Sequence, residues 1–243
     1  MGTITNRYLN DVSWQNAAEG SLFINDGEVY IWRVNISQNI KRLEQFEALL
    51  TADETLRAGK YRQQKDNYRF IVSRGAQRII LGRYLNQLPA DLLFVLGDNK
   101  KPHLVGESGQ IVHYNLSHSG DWIVLAVAIA QVGADLEFID KAFPFHDILE
   151  DNFSKQEAEY IHNSPERFFT LWTRKEAILK ATAQGLGDHL PITPALDGIH
   201  LMGALLNGAD RNWQLVSFKL YAGYAATVVV EGELQQYKFF DWL

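Results

Sequence analysis

Three short stretches carry side chains of the kinds that handle phosphate and metal ions. In Val132-Gly133-Ala134-Asp135-Leu136-Glu137-Phe138 two acids stand two positions apart. On a strand that spacing puts both carboxylates on one face. Asp is depleted in strands and like charges on one face repel, so a divalent cation would relieve the pair. Hard oxygen donors suit Mg²⁺ or Mn²⁺, and Mg²⁺ is commonly held by one or two carboxylates plus substrate phosphates. The same spacing also suits a solvated edge strand with two ordinary charges. In Trp172-Thr173-Arg174-Lys175-Glu176-Ala177-Ile178-Leu179-Lys180, the residues Trp172, Glu176 and Lys180 fall on one stripe of a helix. Either Glu176 supplies a third metal donor and Lys180 meets a phosphate oxygen, or the two form a surface pair worth about 0.3–0.5 kcal/mol. Asn115-Leu116-Ser117-His118-Ser119 ends a strand at a turn. Ser117 and His118 are adjacent and point to opposite faces, a poor nucleophile–base arrangement, and no Gly-x-Ser-x-Gly elbow accompanies them. His118 is suited to donate to an anion, or is simply part of a polar turn.

The elements that must position these residues are legible. Residues 28–36 read as a strand. Thr51 and Glu54 form a capping box that starts a helix near Ala52, and a second helix is expected over about Gln64–Leu85, ended by Leu88-Pro89-Ala90. Residues 98–110 read as loop. Three strands are expected at His113–Ser117, Trp122–Ala130 and Val132–Ile139, the first two joined by a turn at Ser119-Gly120-Asp121. Ser154 and Glu157 form another capping box. Ser164-Pro165 opens a helix that runs to about Ala183 and stops before Gly185-Leu186-Gly187. The segment from about Trp213 to Phe240 reads as two or three antiparallel strands. The whole is α+β, with a helix-rich and a strand-rich part in each half and a boundary near residues 128–132.

Composition narrows the chemistry. The chain has 243 residues and no cysteine, which excludes thiolate zinc sites, Fe–S clusters and a Cys nucleophile. A formal net charge of −6 argues against non-specific nucleic-acid binding. The longest wholly apolar run, Trp122–Ala130, has nine residues and is too short to span a bilayer. The N-terminus lacks an apolar signal core, so a cytoplasmic protein is expected. Charge is unevenly spread: residues 41–83 hold ten Lys/Arg against five Asp/Glu, and residues 131–159 hold eight Asp/Glu against two Lys. A basic first half and an acidic second half suit a ligand gripped jointly, by anionic groups on one side and a metal ion on the other. Two solvated helix faces would give the same counts.

Asn-Leu-Ser-His-Ser at 115–119, Gly-Ala-Asp-Leu-Glu at 133–137 and Trp-Thr-Arg-Lys-Glu-Ala at 172–177, in that order and with Lys180 beyond, resemble the 4′-phosphopantetheinyl transferase superfamily in its long, single-chain Sfp-type form. The resemblance spans roughly residues 25–230; Ala134 stands where the family usually has Val or Ile. It implies two similar α+β halves, 1–130 and 131–243, related by a pseudo-twofold, with the active-site cleft between them in a monomer. It implies transfer of the 4′-phosphopantetheine arm of coenzyme A to a serine of an apo acyl or peptidyl carrier protein that presents a negative helix around that serine. Mg²⁺ (or Mn²⁺) would assist, and adenosine 3′,5′-bisphosphate would be released. The implied metal-binding acids are Asp135, Glu137 and Glu176. Lys180 matches the lysine at the coenzyme phosphates, with Lys175 a further candidate. His118, with Ser117, matches the 3′-phosphate region, and Lys101-Pro102 the Lys-Pro loop that contacts the coenzyme. Arg57 and Arg69 fall at phosphate-gripping basic positions, with Lys60 and Arg62 as neighbouring alternatives. Glu157, in Phe-Ser-Lys-Gln-Glu at 153–157, matches the general base, yet it is also the fourth residue of a capping box, where a carboxylate is a weaker base. A relative that binds coenzyme A or carrier proteins without transfer, an unrelated Mg²⁺-dependent nucleotidyl or phosphoryl transferase and a plain α+β interaction domain are the competing functions.

Overall fold

The structure, a computed structural model, describes residues 1–16, 22–97, 101–104, 111–185, 189–233 and 236–242. In chain order its elements are β1 (Thr3–Leu9), β2 (Gln15–Asn16), β3 (Glu28–Asn35), α1 (Ile36–Asn39), α2 (Leu43–Glu47), α3 (Ala52–Ala58), α4 (Gln64–Leu85), β4 (Phe94–Leu96) and β5 (Pro102–Leu104). There follow β6 (His113–Ser119), β7 (Trp122–Ala128), β8 (Val132–Phe138), α5 (Leu149–Asn152), α6 (Lys155–Ile161), α7 (Pro165–Ala181), β9 (Gly198–Leu201), β10 (Trp213–Tyr221), β11 (Tyr224–Glu231) and β12 (Gln236–Trp242).

Two five-stranded sheets form the frame, with orders β2-β12-β3-β7-β6 and β8-β11-β10-β1-β9. In each, a first strand (β3 or β8) is followed by helices and then a hairpin (β6–β7 or β10–β11), whose second strand inserts beside the first. Both sheets therefore repeat the order first, third, second. Each sheet is extended by a strand from far away in sequence. β1 pairs in parallel with β10, and β12 pairs in parallel with β3. This corrects the expectation of two or three antiparallel strands over 213–240: β10 and β11 are antiparallel, but β12 crosses to the other sheet. A three-residue strand, β5, pairing with β4, also interrupts the expected loop at 98–110; residues 98–100 and 105–110 lie outside the described residues.

Alternation along the strands explains the layering. In β3 the side chains of Tyr30, Trp32 and Val34 pack with Phe70, Ile80 and Leu81 of α4, while Val29 and Ile31 pack with Val216, Phe218 and Val228 of the other sheet. β7 divides in the same way. A strand apolar on both faces is buried on both, so the two sheets meet over a dry interface, with α4 on the outside of one. α7 covers the other and packs against β8 and β11. At Gly133 a side chain would stand 2.2 Å from the Ala177 carbonyl oxygen, so only glycine lets β8 lie this close to α7. Both capping boxes form as expected, and Ser164 caps α7 with Pro165 at its first turn. Among the described residues no helix is long and apolar enough to cross a membrane.

Candidate active site

A cleft of about 690 Å³ lies between α4 with β6 on one side and β8 with α7 on the other. Its basic wall comes from α3 and α4. Asp66, Arg69, Phe70, Ser73, Arg74 and Gln77 all line it, and their spacing of three and four residues is one face of α4. Arg57 of α3 joins them and lies over the Phe70 ring. Arg69 is ion-paired to Asp66 at 2.8 Å, and Arg74 donates to Gln77 Oε1 at 3.1 Å. The acidic wall comes from β8 and α7: Asp135, Glu137, Trp172, Glu176 and Lys180. Trp172, Glu176 and Lys180 form the expected stripe of α7.

β6 forms the floor, and its alternating polar residues hook onto β8. Asn115 Oδ1 accepts from the Ala134 amide at 2.9 Å, Ser117 Oγ donates to Asp135 Oδ1 at 3.0 Å, and Ser119 Oγ donates to Glu137 Oε2 at 2.9 Å. The period-two pattern of Asn115, Ser117 and Ser119 thus ties β6 to β8 through side chains. Lys180 Nζ completes the centre, 2.6 Å from Asp135 Oδ1 and 3.3 Å from Ser117 Oγ. Asp135 Oδ2 is buried without a hydrogen-bond partner.

Three carboxylates share this half-buried space with one ammonium group. Burial, and then the Asp135 charge, push the Glu176 carboxyl up to about 7 and also raise that of Glu137. The His118 imidazole is held below its usual range by burial and by the Arg69 guanidinium. A dication would offset the crowding of the three carboxylates. The hard oxygen donors of Asp135, Glu137 and Glu176, and the orphaned Asp135 oxygen above all, fit Mg²⁺ or Mn²⁺. Among the described residues no three such groups are already gathered as a cage.

The cleft brings together Arg57, Arg69, Pro102, Ser117, His118, Asp135, Glu137, Glu176 and Lys180. Three other residues singled out from sequence are turned elsewhere. Glu157 and Lys175 form a buried ion pair at 2.9 Å. Glu157 also accepts from the Ser154 amide at 2.8 Å and from the Ala195 amide at 2.8 Å. Lys175 donates to the Leu190 and Thr193 carbonyls at 2.7 and 2.6 Å. Adjacent to Glu176 in sequence, Lys175 is about 100° further round the helix, and so faces the 190–195 loop and not the cleft. Lys101 likewise turns its ammonium group to backbone and amide oxygens, while Pro102 beside it lines the cleft. Sequence reading missed Ser73, Arg74, Gln77 and Tyr114. The repeat at 66, 69, 70, 73, 74 and 77 was the available signal for the helical ones. Ser73 Oγ is buried and completes no hydrogen bond, which leaves the basic end of the cleft with unused polar capacity.

Comparison with known proteins agrees with this geometry. A family model described as the 4′-phosphopantetheinyl transferase superfamily matches residues 131–229, and one described as 4′-phosphopantetheinyl transferase, N-terminal, matches residues 36–130. The chain is 33% identical over 224 residues to the 4′-phosphopantetheinyl transferase HetI of a Nostoc species, covering 88% of this chain and 92% of that one. It is 31% identical over 166 residues to 4′-phosphopantetheinyl transferase psf-1 of Bacillus pumilus, covering 60% and 63%. It is 39% identical over 111 residues to 4′-phosphopantetheinyl transferase AcpT of Salmonella typhi, covering 43% and 55%.

Proposed function

We propose that this chain, which belongs to the 4′-phosphopantetheinyl transferase superfamily, moves the 4′-phosphopantetheine arm of coenzyme A onto a serine of an apo carrier protein. The observation that carries the assignment of roles is the meeting of three separate stretches in one cleft. Asp135, Glu137, Glu176 and Lys180 stand on one wall, and Arg57, Arg69 and Arg74 on the other. The division of charge suits a nucleotide held by the arginines, with its pyrophosphate at the acids. The halves would meet near residue 130 with β1 and β12 exchanged, and a cleft complete within one chain fits a monomer.

In the reaction the serine oxygen forms a bond to the phosphorus that bears the pantetheine arm. The bond from that phosphorus to the bridging oxygen breaks, and its electron pair leaves with adenosine 3′,5′-bisphosphate. The serine hydroxyl is a weak nucleophile at neutral pH and needs an acceptor for its proton. Asp135, Glu137 and Glu176 would be held ionised as metal ligands, so the acceptor would be solvent water entering the cleft. Glu157 would not take the proton, because both its oxygens are engaged in the buried ion pair and the helix cap. Lys180 stabilises the departing phosphate, and His118 and the arginines hold the nucleotide. Asp135, Glu137 and Glu176 would hold Mg²⁺ or Mn²⁺, which when bound offsets charge on the pyrophosphate as it is cleaved.

The test is a mass spectrum of an apo carrier protein after incubation with this protein, coenzyme A and Mg²⁺, with an EDTA control. A gain of one phosphopantetheine group that EDTA abolishes is expected. Fatty-acid, polyketide and peptide-synthetase carriers belong in the panel. No gain on any of them, with coenzyme A still raising the melting temperature, would make this a binding protein and not a transferase.

A further inference from the structure

Lys101 directly precedes β5, yet its ammonium group ends at β8 and the end of α7. It donates to the Ala181 carbonyl at 2.8 Å, to Gln131 Oε1 at 3.1 Å and to the Val132 carbonyl at 3.2 Å. An ammonium group has three donors, and here all three are used. The acceptors lie at telling places. Ala181 closes α7 immediately after Lys180. Val132 opens β8, three residues ahead of Asp135. Gln131 belongs to the linker between β7 and β8. A cation at a helix C-terminus also meets the negative end of the helix dipole. Burial pushes the Lys101 ammonium down to about 8, so this placement carries a solvation cost that the three acceptors must offset.

We propose that Lys101 is a positioning residue: a strut from the first half that fixes α7, with Glu176 and Lys180, against β8, with Asp135 and Glu137. The inference rests on the transfer reading above. The Lys180–Asp135 contact at 2.6 Å spans these two elements through side chains alone. Its geometry therefore depends on what locks their backbones, and Lys101 bonds to the backbone of both. Loss of the ammonium group would strand two buried carbonyls and let the end of α7 shift along β8. A misplacement of about 1 Å remote from the chemistry lowers turnover by up to about a hundredfold.

The experiment compares Lys101→Met and Lys101→Arg with the wild type in steady-state transfer to an apo carrier protein. Amide hydrogen exchange is followed over residues 129–136 and 177–185. Lys101→Met is expected to lower kcat about tenfold or more, to leave the KM for coenzyme A within about twofold, and to speed exchange in both segments. Lys101→Arg, which keeps the charge, is expected to recover part of kcat. A raised KM with kcat intact would overturn the proposal in favour of a direct grip on the coenzyme. An unchanged kcat would overturn it whatever the exchange shows. If Lys101→Met fails to fold, Gln131→Ala removes one acceptor and is expected to give a weaker split in the same direction; a normal kcat there overturns the proposal. A wild type that transfers nothing would sink the transfer reading, and unaltered exchange in Lys101→Met would then sink the strut as well.

Discussion

Glu157→Gln separates a structural carboxylate from a catalytic one. Glu157 Oε1 accepts from the Ala195 amide, and Oε2 accepts from the Ser154 amide and from Lys175. Gln carries one acceptor oxygen, so whichever way it turns, an NH₂ group faces a donor. Lys175 is fully buried and would lose its anionic partner. Removing one member of such a pair costs about 3–5 kcal/mol. For a chain of this size each kcal/mol moves the melting temperature by about 2–4 °C, so a fall on the order of 10 °C is expected. Calorimetry gives that shift, and carrier loading well below the melting temperature gives turnover per folded molecule, expected within about threefold of wild type. Glu157→Gln with Lys175→Met removes both charges, and is expected to cost less than the sum of the two single changes. An unaltered melting temperature with turnover down about a hundredfold would place Glu157 at the reacting serine and refute this reasoning.

Further outcomes follow from the cleft and the elements beside it. Asp135→Asn is expected to fold and to lose about a hundredfold or more in kcat, unrestored by added Mg²⁺; ordinary turnover would remove Asp135 from the centre. Glu176, held near 7 when metal-free, must lose its proton to bind a cation, so apparent Mg²⁺ affinity is expected to fall about eightfold from pH 7.5 to 6, measured by metal titration of coenzyme binding. By the same sign, between its unfolded value of 4.5 and about 7 the folded chain holds that proton more tightly, so in the absence of metal this group's contribution to stability is lost as pH rises through that window. Arg74→Ala and Arg69→Ala are each expected to raise the KM for coenzyme A about tenfold with kcat little changed; a pure kcat loss would contradict the nucleotide grip. Gly133→Ala places a methyl group 2.2 Å from the Ala177 carbonyl oxygen, and is expected to cost about 3 kcal/mol and to depress kcat by parting β8 from α7.

Local patterns carried much of this molecule. The i, i+4, i+8 stripe put Trp172, Glu176 and Lys180 in the cleft, and the two-residue spacing put Asp135 and Glu137 there. Both are periodicities of a single element, which is why sequence alone exposes them. Lys175 shows the limit. Its neighbours in sequence are catalytic candidates, but the partner of its face is a loop at 190–195 that no local rule brings to α7. Lys101 fails for the same reason, since its acceptors lie 30 to 80 residues away. Ser117 shows a subtler one: its alternation with Asn115 and Ser119 was visible, but the partner of that face, β8, was not. The pairing of β1 with β10 and of β12 with β3 spans some two hundred residues and leaves no trace in either strand's own pattern.

That exchange of strands also bears on how the protein is made. β1 leaves the ribosome well before its partners β9 and β10, which lie at 198–221. At about 5–20 residues per second, roughly 10–40 seconds of synthesis separate them. Through that interval β1 offers an open edge, and β3 awaits β12 on the same terms. Neither sheet is complete until strands from both ends of the fold are in hand, so the two sheets cannot mature one after the other as independent domains do. Early arrest of translation would leave two unfinished edges at once, the situation in which nascent chains most need a chaperone.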